Sequence, residues 1–498
     1  MKQFILLLIF TLGLFSCKPE AKRILPTYIL IPRTTQLANS NVVTFPLKVK
    51  VTGLVDATLT LTDSESNKTF SVLQPAIGEI TQEITSLSAN TKYNLSITRP
   101  VSHISCTSTE LSGTITKETT INISCTHVCT LDYSNIAKIE NATFFQEELQ
   151  KQMAKASSGT ESLTAVGTYA NITDKSYGGI LAKNGVIYEA SFNATNTGLI
   201  QKFTISNETV STISIAPPSN VPLNAFHGGI LAPSGNIYFV PNGFGTMQIF
   251  SPSSETFVAS ITLGTGHVGG VYSPNTDRMY VPKGAGGFPI QKIDPNTNTF
   301  MSLGSPANPY YGCTLAMNGM IYCANLTTCT ATCDVLKINP TNDTFSTISL
   351  PSPTGSFIGT VLSPSGHIYL VPYTSTKIYT INPNDDSVAT VITGLAGGIK
   401  WAGGALAPNG KIYLTSEEAA MIGIIDTRNN TIDTTTLTGI NSSNFGTASQ
   451  FFAGSGKIGS NGKIYLTARK ANKAASIDTK SNGSYCESIR LSPYFNKF

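Results

Sequence analysis

A short hairpin pattern, repeated, limits what this chain can become. GGILAPSGNIYFVP at 228–241 returns as GGILAKNGVIYEA at 178, GGVYSPNTDRMYVP at 269 and GCTLAMNGMIYCA at 312. GTVLSPSGHIYLVP at 359, GGALAPNGKIYLTS at 403 and SGKIGSNGKIYLTA at 455 complete the set. Each copy reads as an apolar strand opened by small residues, a turn rich in Pro, Asn and Gly, and a strand ending around a tyrosine. The tyrosines, Tyr188, Tyr238, Tyr280, Tyr322, Tyr369, Tyr413 and Tyr465, recur every 42–52 residues. That is the period of a four-stranded unit, not of a helical repeat.

A second hairpin follows the first in successive copies: MQIFSPSSETFVASI, IQKIDPNTNTFMSL, VLKINPTNDTFSTI, KIYTINPNDDSVATVI and IGIIDTRNNTIDTTTL. The first two strands of a repeat are apolar on both faces, as in a sheet sandwiched between neighbours. The fourth alternates Thr and Ser with apolar residues, as an outer edge strand does. Seven such units stacked radially close a ring and remove exposed sheet edges. The expected fold is all-β: a seven-bladed β-propeller over 177–498, preceded by a small β-sandwich. The P-x-G turn, the I/V-Y-V strand and the I-D-P-x-T-N hairpin, as in 364-PSGHIYLVP-372 and 293-IDPNTNTF-300, resemble those of YVTN-type surface propellers of bacteria and archaea. The resemblance speaks to fold and leaves activity open.

The opening residues, MKQFILLLIFTLGLFSC, combine a basic start at Lys2 with an apolar run from Phe4 to Phe15 that is too short to span a bilayer. The end of this run, Leu14-Phe15-Ser16-Cys17, resembles a bacterial lipoprotein lipobox. The resemblance implies that 1–17 is a lipoprotein signal peptide and that Cys17 is acylated (a palmitate-type anchor), holding the protein on the outer membrane or cell surface. Residues 18–40, with Pro19, Pro26 and Pro32, read as a tether. From Val42 the runs VVTFPLKVKV, ATLTLTD, KTFSVL, KYNLSI and TINISC, spaced by turns, predict an Ig-like β-sandwich over 41–129. The stretch from Gly53 to Cys125 is similar to a β-sandwich module of bacterial surface lipoproteins, and that likeness implies a Cys106–Cys125 disulfide. Residues 130–176 are read as a linker; FFQEELQKQMAKA within it suits a short helix, and NIAKIENATFFQEEL echoes a half-repeat.

Besides Cys17 there are eight cysteines, an even number suited to an oxidising compartment. Cys313 and Cys323 lie equidistant from Asn318 at a hairpin tip, so antiparallel pairing brings them opposite each other. Cys329 and Cys333 then bridge within the next loop, which leaves Cys129 and Cys486 as candidate partners. The two C-x3-C spacings, Cys125/Cys129 and Cys329/Cys333, also fit zinc, but export favours disulfides and no metal is expected.

Ligands of radial folds enter where the innermost strands begin. The residues just before each glycine pair are Tyr177, His227, Val268, Tyr311, Ile358, Ala402 and Gly454; one step back stand Phe226, His267, Tyr310, Phe357 and Lys400-Trp401. This end is rich in aromatics, and Tyr177, His227, His267, Tyr311 and Trp401 are the candidate ligand-binding residues, suited to a glycan, a peptide or a host or envelope protein. Propeller lactonases need converging carboxylates and quinoprotein propellers many tryptophans; the entry ring has no carboxylate and Trp401 is the sole tryptophan. Glu417 and Glu418 read as a solvated loop pair, and the Asp294-to-Asn298 string as a turn instead of a calcium loop. No catalytic residue or cofactor is assigned. Charged residues are only 12% of the chain and the net charge of +4 is dispersed, so nucleic acid is excluded as a partner. The expected protein is a monomeric, membrane-anchored binding or adhesion module; the alternative is a propeller hydrolase or lyase with its site at the channel mouth.

Overall fold

The computed structural model describes residues 42–52, 57–74, 79–98, 104–127, 159–169, 176–190, 199–214, 226–330, 332–459 and 461–480. The lipobox, the tether, the proposed helix and half-repeat of 130–158, Cys129 and Cys486 lie outside them. Nearly all the regular secondary structure among the described residues is strand. Ser442–Phe445 forms a single helical turn, capped by Asn441 and ended by Gly446.

The first unit is two four-stranded sheets. One has the order Glu79–Ser88, Thr44–Thr52, Thr119–His127, Ile104–Thr107, and the other Lys68–Gln74, Ala57–Asp63, Lys92–Thr98, Ser112–Thr114. Alternate residues of each, including Leu47, Val49, Leu59, Leu61, Val72, Leu95, Ile121 and Ile123, meet in one buried core. Cys106 and Cys125 occupy facing positions of neighbouring antiparallel strands and are joined by a disulfide.

Among the described residues the second unit is a β-propeller of seven four-stranded antiparallel sheets. Their innermost strands are Ile180–Leu181, Phe226–Leu231, Val271–Ser273, Tyr310–Leu315, Phe357–Leu362, Trp401–Leu406 and Lys457–Ile458. Second strands such as Ile237–Pro241 and Ile368–Pro372 are buried throughout, whereas fourth strands such as Thr344–Ser349 are largely exposed on alternate residues. Two backbone demands explain the glycine pairs. Gly228 adopts φ +68° at a bulge in its strand, a conformation that L side chains rarely take. At Gly270 a Cβ would lie 2.6 Å from Ile230 of the preceding sheet, closer than packing allows.

The repeated tyrosine is a stitch between blades. The Tyr238 hydroxyl donates to Asn298 Oδ1 (2.6 Å) in the next blade, Tyr280 to Asp343 (3.2 Å) and Tyr322 to Asp386 (3.1 Å). Tyr465 of the seventh sheet reaches Glu208 of the first at 3.0 Å, which closes the circle. Each acceptor sits at the outer hairpin turn with φ between +54° and +60°, where Asn and Asp are the side chains best tolerated. Lys292, Lys337 and Lys463 add ion pairs to three of the same acceptors. Cys313–Cys323 and Cys329–Cys333 are both bonded, the first across the paired strands Tyr310–Leu315 and Ile321–Asn325.

The boundary expected at residue 177 needs correction. The last sheet takes Lys457–Ile458, Ile464–Leu466 and Lys473–Asp478 from the end of the chain, but its outermost strand is Ser162–Thr168. Residues 456–498 therefore do not supply a complete blade among the described residues, and part of the presumed linker belongs to the ring. SLTAVGT has the Thr-apolar alternation of the other outer strands, which is why it can fill the edge position. Glu161, just before it, pairs with Lys411 of the sixth sheet at 2.6 Å, taking from upstream the place that Asp343 or Asp386 holds elsewhere.

Candidate functional site

Pleating divides the residues that open the innermost strands into two sets. Phe226, His267, Tyr310, Phe357 and Trp401 are buried. Trp401 lies within the sixth sheet, where a Cβ at Gly423 would come 2.9 Å from its ring, so it packs the core and does not line the mouth. His267 is likewise enclosed, its Nδ1 3.0 Å from the Pro282 carbonyl, with burial pulling its pKa below the ordinary imidazole value. These two sequence candidates are structural. One residue on, Tyr177, Val268 and Tyr311 turn toward one another and pack with Ala453 across the end of the ring. His227 joins them by stacking on Tyr177, with centroids 4.2 Å apart and planes at 12°.

The structure adds three residues that the sequence did not offer. Glu417, expected to be solvated, is 1% exposed. The strand Lys411–Ser416 ends in a tight turn in which the Glu417, Glu418 and Ala419 amides all point at the Lys400 carbonyl. That carbonyl is fixed in turn, because the Lys400 ammonium donates to the carbonyls of Ser375, Ala396 and Gly398. The turn leaves Glu418 exposed and drives Glu417 inward, where its Oε1 meets Arg469 of the seventh sheet. The Arg469 guanidinium also lies 5.0 Å from the centre of the Tyr177 ring. Tyr373, which follows the second strand of the fifth sheet, is half-buried in the same field, its hydroxyl pushed up to about 12 by burial and then by Glu417.

Six blades thus send a phenol, imidazole, carboxylate or guanidinium to one end of the axis: Tyr177, His227, Tyr311, Tyr373, Glu417 and Arg469. Tyr177, Tyr311 and Glu417 form the buried floor, and His227, Tyr373 and Arg469 a partly exposed rim. Burial, with a smaller push from Arg469, holds His227 down to about 3, so its imidazole is neutral. Burial also pushes the Glu417 carboxyl up to about 7 in spite of Arg469. Its Oε2 is buried and has no hydrogen-bond partner among the described residues. A signal for Arg469 was available: four residues after the repeated tyrosine, in IYLTARK, the seventh copy alone has a basic residue, where the others have Phe192, Asn242, Gly284, Leu326, Tyr373 and Glu417. Asp294, by contrast, caps its own turn, accepting from the Asn296 amide at 2.9 Å and pairing with Arg278.

No protein-family model matches the chain, and no curated protein sequence matches it. Among solved structures it is similar to a streptogramin B lyase, at 16% identity and a TM-score of 0.50 over 64% of this chain and 98% of that one. It is also similar to a catalytically inactive virginiamycin B lyase from Staphylococcus aureus with quinupristin, at 13% identity and a TM-score of 0.51 over 64% and 99% of the two chains. The likeness is one of fold, the β-propeller.

Proposed function

We propose that this chain is an exported binding protein of the bacterial envelope, held by a lipid on Cys17, that receives a ligand at the axial end of its propeller. The observation that carries the reading is the convergence of polar and aromatic side chains from six blades around a buried carboxylate oxygen that lacks a donor among the described residues. Native interiors rarely leave such an atom unpaired, and ligand sites are where they do. The apolar run ending at Cys17 supports export and anchoring, and no helix among the described residues is long and apolar enough to cross a membrane. The ligand class is a glycan, a peptide or a segment of a host or envelope protein, bound by a monomer. Cys17→Ala is expected to move the protein from the detergent phase to the aqueous phase; retention in detergent would refute the lipid anchor. The binding test is a glycan and peptide screen of the detergent-solubilised full-length protein. Arg469→Ala should lose any ligand found, and Thr347→Ala on an exposed outer strand should keep it. Equal affinity in both variants would place binding elsewhere.

Glu417 favours one second reading, a hydrolase or lyase. A carboxyl titrating near neutrality can give and take a proton at working pH. Turnover of a ligand from the screen, abolished in Glu417→Gln with affinity kept, would select that reading over simple binding.

A further inference from the structure

Granted that the axial end is a ligand site, a single oxygen at its floor narrows the chemistry it takes. Glu417 is 1% exposed, and its two carboxylate oxygens differ in their surroundings. Oε1 meets the Arg469 guanidinium, whereas Oε2 is buried with no hydrogen-bond partner among the described residues. The backbone around it is committed: the Glu417, Glu418 and Ala419 amides converge on the Lys400 carbonyl, and the Glu417 carbonyl accepts from the Phe451 amide. A buried acceptor held in place without a donor is costly, and a bound group that supplies one removes the cost.

Charge decides which group fits there. A ligand carboxylate would face another carboxylate. An ammonium would share one carboxyl with the guanidinium on Oε1, two like charges in a site shielded from water. An apolar group would leave the oxygen unsatisfied. Neutral polar groups remain, and the proton on Glu417 selects among them. Burial pushes its carboxyl up to about 7, against the pull of Arg469 and with a smaller push from Glu418. Near neutrality, Oε2 is therefore an acceptor in some molecules. In the rest, with Oε1 held by Arg469, it carries the proton and donates. An amide N–H serves only the first form, but a hydroxyl serves both. The other groups at this end bring no further charge. Tyr177 and Tyr373 are kept protonated by burial and by Glu417, Tyr311 by burial, and His227 is held neutral by burial and by Arg469.

Shape favours a sugar over a lone hydroxyl. Glu417 lies at the floor, so what reaches it is a slender group projecting from a body seated at the rim. That rim offers the half-buried Tyr373, and the floor offers the rings of Tyr177 and Tyr311. Polar groups set beside aromatic rings suit a body with hydroxyls around its edge and C–H groups on its face. We propose that the axial end binds a neutral sugar, one hydroxyl of which bonds Glu417 Oε2 while the Tyr373 hydroxyl holds another. The assignment rests on the axial end being the ligand site proposed above.

The test is a ligand-observed NMR titration of the full-length protein with neutral methyl glycosides: glucoside, galactoside, mannoside and N-acetylglucosaminide. N-acetylserinamide, N-acetylalaninamide and propylammonium are the comparison probes. At least one glycoside is expected to bind, at about pH 6 and about pH 8 alike, and the comparison probes are not. Among monodeoxy forms of that glycoside, one should bind the parent protein about tenfold or more weakly. The same form should bind Glu417→Ala no worse than the complete glycoside does, which ties the lost hydroxyl to the lost carboxylate. Should Glu417→Ala melt early, Glu417→Met, which fills the space without an acceptor, replaces it. Glu417→Gln keeps both an acceptor and a donor and should retain most of the affinity. Absence of binding by every glycoside, loss of binding at either pH, or a deoxy penalty unchanged in Glu417→Ala overturns the proposal. Binding of propylammonium or an amide in place of the glycosides, abolished in Glu417→Ala, would leave the axial site standing and refute the sugar. If no probe and no ligand from the screen responds to Glu417→Ala or Arg469→Ala, both fall.

Discussion

Glu417 and His227 shift in opposite senses on folding, although both feel the same guanidinium. Folding raises the Glu417 carboxyl from its ordinary 4.5 to about 7, so the native state holds that proton more tightly. The associated stability is complete below about pH 4.5 and is lost as pH rises through about 7. The His227 imidazole falls from 6.5 to about 3, so its contribution is complete above about pH 6.5 and is lost as pH falls through about 3. Between those limits the two slopes oppose. Relative to the parent, Glu417→Gln should gain melting temperature as pH rises across its window, and His227→Asn as pH falls across its own. Differences that stay flat with pH, measured by calorimetry, would contradict the burial of either group. Trp401 makes a different claim. As a core residue its replacement by alanine should cost about 3–5 kcal/mol in denaturant unfolding and leave the affinity of the folded fraction unchanged. Loss of affinity with unchanged stability would return it to the mouth.

Between neighbouring blades, the tyrosine hydroxyl and the left-handed turn residue form one interlocking device. Tyr280→Phe removes donation to Asp343 and to the Pro340 carbonyl while keeping the ring, so a loss of about 1–2 kcal/mol is expected by denaturant unfolding, with the ion pair from Lys292 remaining. A neutral outcome would mean that the ring alone holds the blades. Much of this level could be read in advance, because period, turn chemistry and the apolar gradient repeat seven times and each copy corroborates the others. What occurs once could not. Ser162–Thr168 shows a strand's alternation, but nothing local says that its partner lies at the far end of the chain. Glu417 looks like any loop acid until the turn fixed by Lys400 sends it inward. Trp401 was misplaced by one residue, and in a pleated strand one residue reverses the direction of a side chain.

The propeller as a whole is fastened by a strand that stands before its first repeat. A fragment beginning at residue 177 keeps every copy of the hairpin yet loses the outer strand of the last sheet and the Glu161–Lys411 pair. It is expected to melt at lower temperature and to self-associate through the edge left on Lys473–Asp478, as seen by light scattering. A monomeric fragment with the parent's melting curve would show that the fastening is dispensable. The same arrangement sets an order in time. A chain made and exported from its N-terminus presents Ser162–Thr168 first, and the strand it must pair with emerges after every intervening blade. Its contacts span more of the sequence than those between adjacent blades, and long-range pairing of this kind is slow. During that interval the earliest strand of the ring waits, unpaired, for the latest one.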